Sequence, residues 1–425
     1  MWTRLRAFGL RWFSCWLLGF GLLARFVCVL VLRNPHRLHE PLAIRDEIEF
    51  NALALNLVKF GEYSIRIGHP SSFRAPGFPL WVAALYSISY ENYFLVYVGQ
   101  CLLGAVGCLL AYLLAKELLP EVDARRSGLL AVVYMPAIFL CTLFFSDTLY
   151  ADCLALGMLL FVRYLRTRRS AWLVIAGLSL GYGALTRPAG ILVLPALLTI
   201  LVAGMIRARR FRLLPCLALA LSCFAVVAPW TWRNYIVHHQ FVLIATNGGW
   251  TFYGSNNNVV LHNRAYLGRF VPPYVLQGRA KIDAMPDEVS LDRLEWRLGI
   301  GWVRAHWASM PLLETYKFVR LWLPTDPINR RFPAAESEFV LMRAVGYLPF
   351  LVLFLLGFRR CALDRRFWTW PWLSLHVTVL ALIATALVFN GDPRYRDGQY
   401  TTLMPYAALG LMKRPVTGKS ADERS

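Results

Sequence analysis

Residues 45–81 read RDEIEFNALALNLVKFGEYSIRIGHPSSFRAPGFPLW, a polar stretch between hydrophobic segments that begins with carboxylates and ends with an arginine and two prolines. Asp46, Glu47 and Glu49 lead it. Phe50, Leu53, Leu57 and Phe60 follow at three- and four-residue spacing, the period of an amphipathic helix that Gly61 then stops. A helix with one apolar face directly after a membrane span is expected to lie in the interface, which puts its acids at membrane depth. The competing reading is a solvated acidic turn that complements the helix dipole.

The composition around this stretch favours the membrane. Of 425 residues, 57% are hydrophobic, 14% aromatic and only 16% charged, with a mean hydropathy of +0.47, too apolar for a soluble protein of this length. The formal charge of +20 could suggest nucleic acid, but the basic residues sit in short clusters between apolar runs: Arg125/Arg126, Arg163 to Arg169, Arg207 to Arg212, Arg359 to Arg366, and Lys413, Arg414 and Lys419. That placement is the positive-inside signal and argues against a nucleic-acid partner. The nine cysteines lie in apolar runs or in a basic loop, without a CxxC or a Cys/His spacing, so neither a disulfide framework nor a zinc site is expected. Arg4, Arg6 and Arg11 before the first apolar run mimic a secretory leader, but the run continues to Leu32 without a small-x-small site and is read as a retained span.

Spans of about 20 apolar residues, with allowance for tilt, are expected near 12–32, 93–115, 128–145, 147–165, 171–186, 188–206, 213–231, 341–358, 371–389 and 399–412, ten in all. The run 77–89 is short for a span and is assigned to the first external loop. With a cytoplasmic N-terminus every basic cluster then falls inside, both long polar loops fall outside, and the C-terminus returns to the cytoplasm. The expected organisation is an N-terminal transmembrane catalytic module (1–231) with an external loop (33–92), an extracytoplasmic cap (232–340), and C-terminal transmembrane helices with a tail (341–425).

Further charged residues stand at exposed or costly places. Arg25, in the first span, is an interface anchor or pairs with an acid in a protein-lined cavity. Asp147 and Asp152 in FFSDTLYADC should face the bundle interior or a wet cavity, with N-capping by Ser146 or Asp147 as the rival role. Arg187, before Pro188, meets an anionic headgroup or anchors the interface. In NGDPRYRDGQY (390–400), Arg394 and Arg396 flank a tyrosine in an external hairpin and could hold a phosphate headgroup, or form a salt-bridged turn. In the cap, FVLIATNGGWTFYGSNN (241–257) suggests a short strand followed by Gly-Gly and Asn turns, with aromatics and amides that suit a carbohydrate surface. Residues 287–323 turn helical, with Leu291, Leu294, Leu298, Val303, Trp307, Leu312, Tyr316 and Val319 expected inward and Pro311 at a break.

An acid-bearing loop, nearby arginines and a wall of apolar helices suit transfer of a sugar from a lipid phosphate, which carries its own leaving group and needs no nucleotide site. A carboxylate would take the acceptor proton while cations stabilise the departing phosphate. Asp46 and Arg74 are the first candidates.

RDEIEFNALALNL followed by FRAPGFPLW resembles the first external loop of the GT-C membrane glycosyltransferases, in particular the family of dolichyl-phosphate-mannose protein mannosyltransferases and aminoarabinose lipid A transferases. FFSDTLYAD, GALTRPAGILVLP, PWTWRNY, TNGGWTFYGSNN and the RYR at 394–396 are similar to further segments of that family, in order along nearly the whole chain. Phe50 stands where many relatives have tyrosine. The resemblance implies an all-α polytopic GT-C bundle of about ten transmembrane helices, with an interfacial helix in the first external loop and a small, mainly helical external segment. It also implies inverting glycosyl transfer from a polyprenyl-phosphate sugar donor to an envelope lipid, glycan or protein acceptor. Separately, abundant Arg, little Lys and no eukaryotic retention signal favour a bacterial inner membrane by composition. Asp46, Glu47 and Asp147 are the catalytic candidates; Arg74, Arg187, Arg394 and Arg396 are the candidates for the donor phosphate. A divalent metal is left open, with Asp46, Glu47 and Asp147 as candidate oxygen ligands and His69 and His262 behind them. The alternatives are a transporter or flippase of an anionic lipid, for which repeated halves would be expected, and a lipid-binding subunit without chemistry.

Overall fold

The computed structural model describes residues 2–32, 44–277, 285–324 and 336–412, with the side chains of the first and last segments described from Trp12 and Ala344 onward. The C-terminal tail with Lys413, Arg414 and Lys419, and the first part of the external loop, lie outside these residues.

Nearly all of the described chain is helical. Helix α1 (Trp2–Leu32) leads, through the external loop, to α2 (Arg45–Phe60), and a small antiparallel hairpin (Ser64–Arg66 with His69–Pro70) precedes α3 (Gly77–Ile88). The bundle continues with α4 (Tyr93–Lys116), α5 (Glu121–Val133), α6 (Met135–Leu140), α7 (Asp147–Thr167), α8 (Ala171–Thr186), α9 (Val193–Arg207) and α10 (Leu213–His238). The cap contributes α11 (Gly248–Ser255), α12 (Asn258–His262), α13 (Pro273–Gln277), α14 (Glu288–Ala305) and α15 (Met310–Leu321). The chain returns as α16 (Glu336–Leu363), α17 (Trp370–Val388), the one-turn α18 (Pro393–Asp397) and α19 (Tyr400–Gly410).

Among the described residues, seven helices are long and apolar enough to cross a membrane. The other three expected passes are short or broken. Instead of one span over 128–145, α5 stops at Val133, Tyr134 is extended, and Pro136 restarts a helix of six residues. Pro136 has no N–H to donate to the Val132 carbonyl and its ring would crowd that carbonyl in a continuous helix, which explains the break, while a proline is tolerated in the first turn of the helix that restarts. Residues 141–146 then run without regular structure, and backbone groups there need partners wherever water is excluded. Gln100 of α4 supplies them by donating to the carbonyls of Leu143 (3.0 Å) and Phe145 (2.8 Å), while the Glu47 carboxylate accepts from the Phe144 N–H (3.1 Å).

Helix α2 forms as its periodicity predicts and ends on Gly61 in the left-handed conformation (φ 68°). Phe50 and Leu53 are buried, whereas Phe60 is exposed. Helix α3, at 12 residues, packs on α2 and α8, in keeping with its assignment to the external loop. Helix α19 is buried along its whole length among α4, α5, α7 and α16; Gly357 lets α16 approach so closely that a Cβ there would meet the carbonyl of Tyr406. Arg25 is fully buried, not an interface anchor. It donates to the carbonyls of Gly21 (3.1 Å) and Ala131 (3.2 Å), with Asp152 and Tyr400 nearby in the bundle. Gly104 makes room for its guanidinium.

The cap departs from expectation in three ways. Residues 241–247 form no strand; their carbonyls instead accept from α10, with Trp230 Nε1 to Ile244 O at 2.7 Å and Thr231 Oγ1 to Leu243 O at 2.7 Å. Gly248 and Gly249 begin α11 rather than a turn, because Gly249 lies against the Asp292 carbonyl with no room for a side chain. The helical period over 287–323 is correct, and Leu291, Leu294, Leu298 and Val303 are half-buried, but the most buried face is rotated from the expected stripe. Val289, Glu295, Gly299, Leu313, Lys317 and Leu321 point inward, while Trp307, Leu312, Tyr316 and Val319 are exposed. Lys317 explains the rotation. It is buried with its ammonium on Asn256 (2.9 Å), Glu314 (3.0 Å) and the Leu387 carbonyl (2.7 Å), leaving the apolar stripe outside, where lipid would satisfy it.

Candidate active site

Four separate parts of the chain meet at one end of the bundle. Asp46 lies in the first turn of α2, Arg74 between the hairpin and α3, Asp147 at the start of α7, and Arg187 just past α8. Arg394 of α18 joins them from the last interhelical turn. Helix α7 separates this end from the basic end, since its 21 residues begin at Asp147 and finish among Arg163 and Arg166, which pair with Glu117.

Local sequence explains each placement. Pro188 forces Arg187 into an extended conformation (φ −138°, ψ 112°), turning its side chain away from the α8 axis. Asp392 caps α18 by accepting from the Arg394 N–H (2.9 Å). The Tyr63 hydroxyl donates to the carbonyls of Arg74 (3.0 Å) and Ala75 (3.2 Å), fixing that turn. Just before it, Glu288 accepts from Ser71 Oγ (2.8 Å) and Ser72 N–H (2.5 Å), and Arg233 donates to the Ser71 and Tyr63 carbonyls (2.9 and 3.1 Å). The cap is thus tied to the strand of chain that presents Arg74.

The carboxylates and guanidiniums form a continuous chain. Arg74 donates from Nη2 to Asp46 Oδ1 (2.7 Å) and from Nε to Glu49 Oε2 (2.7 Å), and Arg45 Nε reaches Glu49 Oε1 (2.6 Å). Arg394 bridges the two acidic segments, with Nη1 on Asp46 Oδ2 (3.0 Å) and Nη2 on Asp147 Oδ2 (2.9 Å). Arg187 donates to the remaining oxygen, Asp147 Oδ1. Asp147 is fully buried, whereas the Asp46, Arg74 and Arg394 side chains keep 26%, 16% and 19% exposure, so the cluster opens on the Asp46 side. Aromatic faces frame it: Phe145 lies under Arg394 (3.8 Å), Phe50 and Phe73 flank Arg74, and Trp250 of the cap stands over Arg45 (5.0 Å). Such contacts steady a guanidinium without consuming its donors. Burial pushes the Asp46 carboxyl up, but Arg74 and Arg394 outweigh it and hold the group well below the usual carboxylate range. Asp46 is therefore ionised at neutral pH. Beside Arg187, Tyr150, Thr385, Tyr395 and Gln399 line a cavity of about 20 Å³, room for one water.

Asp46, Arg74, Asp147, Arg187 and Arg394 thus converge, and Asp147 pairs with arginines while Ser146 makes no side-chain cap. Two expected members stand apart. Arg396, two residues after Arg394 in a helical turn, points the other way, since residues two apart do not share a helix face. It is fully buried on Asp397 (2.9 Å), the Leu321 and Leu323 carbonyls (both 2.9 Å) and the Tyr347 ring. Glu47 is buried on the far side of α2 from Arg74, supporting the broken segment at Phe144. Glu49 joins the cluster, although the sequence marked it only as one of three leading acids. Among the described residues no group of three or more His, Cys, Asp or Glu is placed to hold a metal ion. Of the cap amides that suggested a sugar surface, Asn256 and Asn257 are buried, with Asn256 on Lys317 and the Val388 carbonyl (3.2 Å) and Asn257 capping α12, whereas Asn258 is exposed and accepts from Trp302 Nε1 (2.7 Å).

Residues 69–232 match the family model described as dolichyl-phosphate-mannose-protein mannosyltransferase. No curated protein sequence matches the chain. In structure it is similar to the oligosaccharyltransferase of Archaeoglobus fulgidus in the apo form, with 15% identity, a TM-score of 0.53, and coverage of 93% of this chain and 50% of that one. The same enzyme in complex with zinc and sulfate gives 17% identity, a TM-score of 0.53, and coverage of 93% and 48%. ArnT from Cupriavidus metallidurans bound to undecaprenyl phosphate is a further match, at 14% identity and a TM-score of 0.46, covering 93% of this chain and 77% of that one. The chain spans about half the length of the oligosaccharyltransferase.

Proposed function

We propose, for a chain with the fold of the GT-C membrane glycosyltransferases, that it is an inverting glycosyltransferase that moves a sugar from a polyprenyl-phosphate donor to an envelope acceptor. The observation that carries the reading is the convergence of an ionised, partly open carboxylate, Asp46, with three arginines at a single end of the bundle. The family model matched over 69–232 supports a lipid-phosphate sugar as donor.

In this reading Asp46 takes the proton of the acceptor hydroxyl as that oxygen bonds to the anomeric carbon. The bond from that carbon to the phosphate oxygen breaks, and its electron pair leaves with the polyprenyl phosphate. Arg74, Arg187 and Arg394 hold the donor phosphate and stabilise its departing charge, and Asp147 holds the last two in place. A donor phosphate competes with the carboxylates for the same N–H groups, so its arrival frees Asp46 Oδ2 from Arg394 and strengthens the base. The positive-inside pattern supports a cytoplasmic basic end, and with it a site and cap on the extracytoplasmic side; the Arg-rich, Lys-poor composition supports a bacterial inner membrane.

The test is mass spectrometry of envelope glycans and lipid A from cells with the protein, without it, and with Asp46→Asn. Loss of one sugar unit in both the deletion and the variant is expected. A unit that persists in both, with the variant inserted at normal levels, would overturn the reading. A transporter of the same lipid has a different signature: it would tolerate Asp46→Asn.

A further inference from the structure

We propose that Arg394 is a built-in cation occupying the place between the two acidic segments where a divalent ion would bridge them, so these carboxylates take no metal while Arg394 is present. All four oxygens of the pair already accept from a guanidinium: Asp46 from Arg74 and Arg394, Asp147 from Arg187 and Arg394, with Asp147 Oδ2 accepting twice. A metal would have to share those oxygens with guanidiniums held in contact with them and displace the one that stands between the two acids. It would also add charge to a cluster in which three carboxylates (Asp46, Glu49 and Asp147) already face four guanidiniums (Arg45, Arg74, Arg187 and Arg394).

Arg394 is built in rather than drawn in from solvent. Its backbone is held in a one-turn helix by the Asp392 cap and by the Gly398 N–H donating to its carbonyl (2.8 Å), and its guanidinium rests on Phe145 at 3.8 Å. The planar fork gives Nη1 to one acid and Nε and Nη2 to the other (3.2 and 2.9 Å), two-sided bridging that a lysine ammonium cannot copy. A guanidinium stays charged at every physiological pH, so the bridge is neither titrated nor chelated away.

The inference concerns metal binding by this chain and stands or falls separately from glycosyl transfer. Purified full-length protein in nanodiscs is titrated with Mn²⁺ and free ion is followed by electron paramagnetic resonance. Wild type should leave the free-ion signal unchanged. Arg394→Ala should gain one Mn²⁺ per chain, at least about tenfold tighter than wild type, and should lose it again when combined with Asp147→Asn. Arg394→Gln, which keeps more of the side chain, provides the same comparison if the alanine variant is not recovered folded. Stoichiometric Mn²⁺ on the wild type that disappears in Asp46→Asn would overturn the proposal, as would an arginine-free variant that is folded and binds none.

Discussion

Replacing Asp46 with asparagine separates chemistry from architecture, because the amide keeps the shape and removes only the charge. Two guanidiniums contact this carboxylate, at 2.7 and 3.0 Å. At an effective dielectric near 20 each contact is worth about 4 kcal/mol of Coulomb attraction before desolvation. Little of that becomes net stability, since Arg74 keeps Glu49, Arg394 keeps Asp147, and the side chains retain 16–26% exposure. A loss of about 2 kcal/mol or less is expected, below the 3–5 of a fully buried broken pair. The kinetic effect should be larger: removing a general base costs roughly 10²- to 10⁴-fold, about 2.7 to 5.5 kcal/mol of barrier. The assay pairs transfer from a polyprenyl-phosphate sugar by purified protein with thermal unfolding in the same detergent. Turnover within a few-fold of wild type from a folded Asp46→Asn protein would refute the base assignment, and unfolding as severe as that of a core deletion would refute the energetic argument.

Three other expectations follow from the same contacts. Arg74→Ala should raise KM for the lipid-phosphate donor with the protein still folded, whereas Arg396→Ala should lower the unfolding temperature and yield, by about 3–5 kcal/mol, because it removes the cation paired with buried Asp397; equal donor effects in both would contradict the division drawn here. Glu295 is pushed up to about 8 by burial and the neighbouring Asp292 charge, so the folded cap holds a proton that the unfolded chain loses near pH ~4.3, and cap stability should fall as pH rises between those values. Glu295→Gln should flatten that slope in hydrogen exchange of residues 288–305 measured at pH 6 and 8, and an unchanged slope would count against it. Gly104→Ala drives a methyl into the Arg25 guanidinium and within 2.8 Å of Cys141 Sγ, so it should cost about 1–3 kcal/mol in thermal unfolding; a neutral effect would mean that Arg25 has room to move.

Periodicity and charge placement made much of this molecule readable in advance. The 3.6-residue pattern of α2 and its glycine stop depend on neighbours in sequence, and both appear in the structure where expected. The meeting of Asp46 with Arg74 was readable because both lie in one loop; that Arg394, 348 residues from Asp46, would bridge it to Asp147 was not. Glu47 and Arg396 show what pattern alone misses. Both carry the right charge in the right motif, but a step of one or two residues around a helix turns each toward a different neighbour. The rotated face of α14 and α15 has a similar origin: hydrophobicity marks a stripe, and beside a membrane that stripe can face lipid as well as protein.

The irregular run at 141–146 has a consequence for how the polypeptide is made. Its bare amides and carbonyls are served by Glu47 and Gln100, which leave the ribosome earlier. When the awkward segment emerges, the groups that will receive it have therefore already been synthesised, and it can be satisfied in synthesis order without waiting for downstream chain. A circular permutant opened between α4 and α5 would reverse that order, exposing the segment before its partners exist.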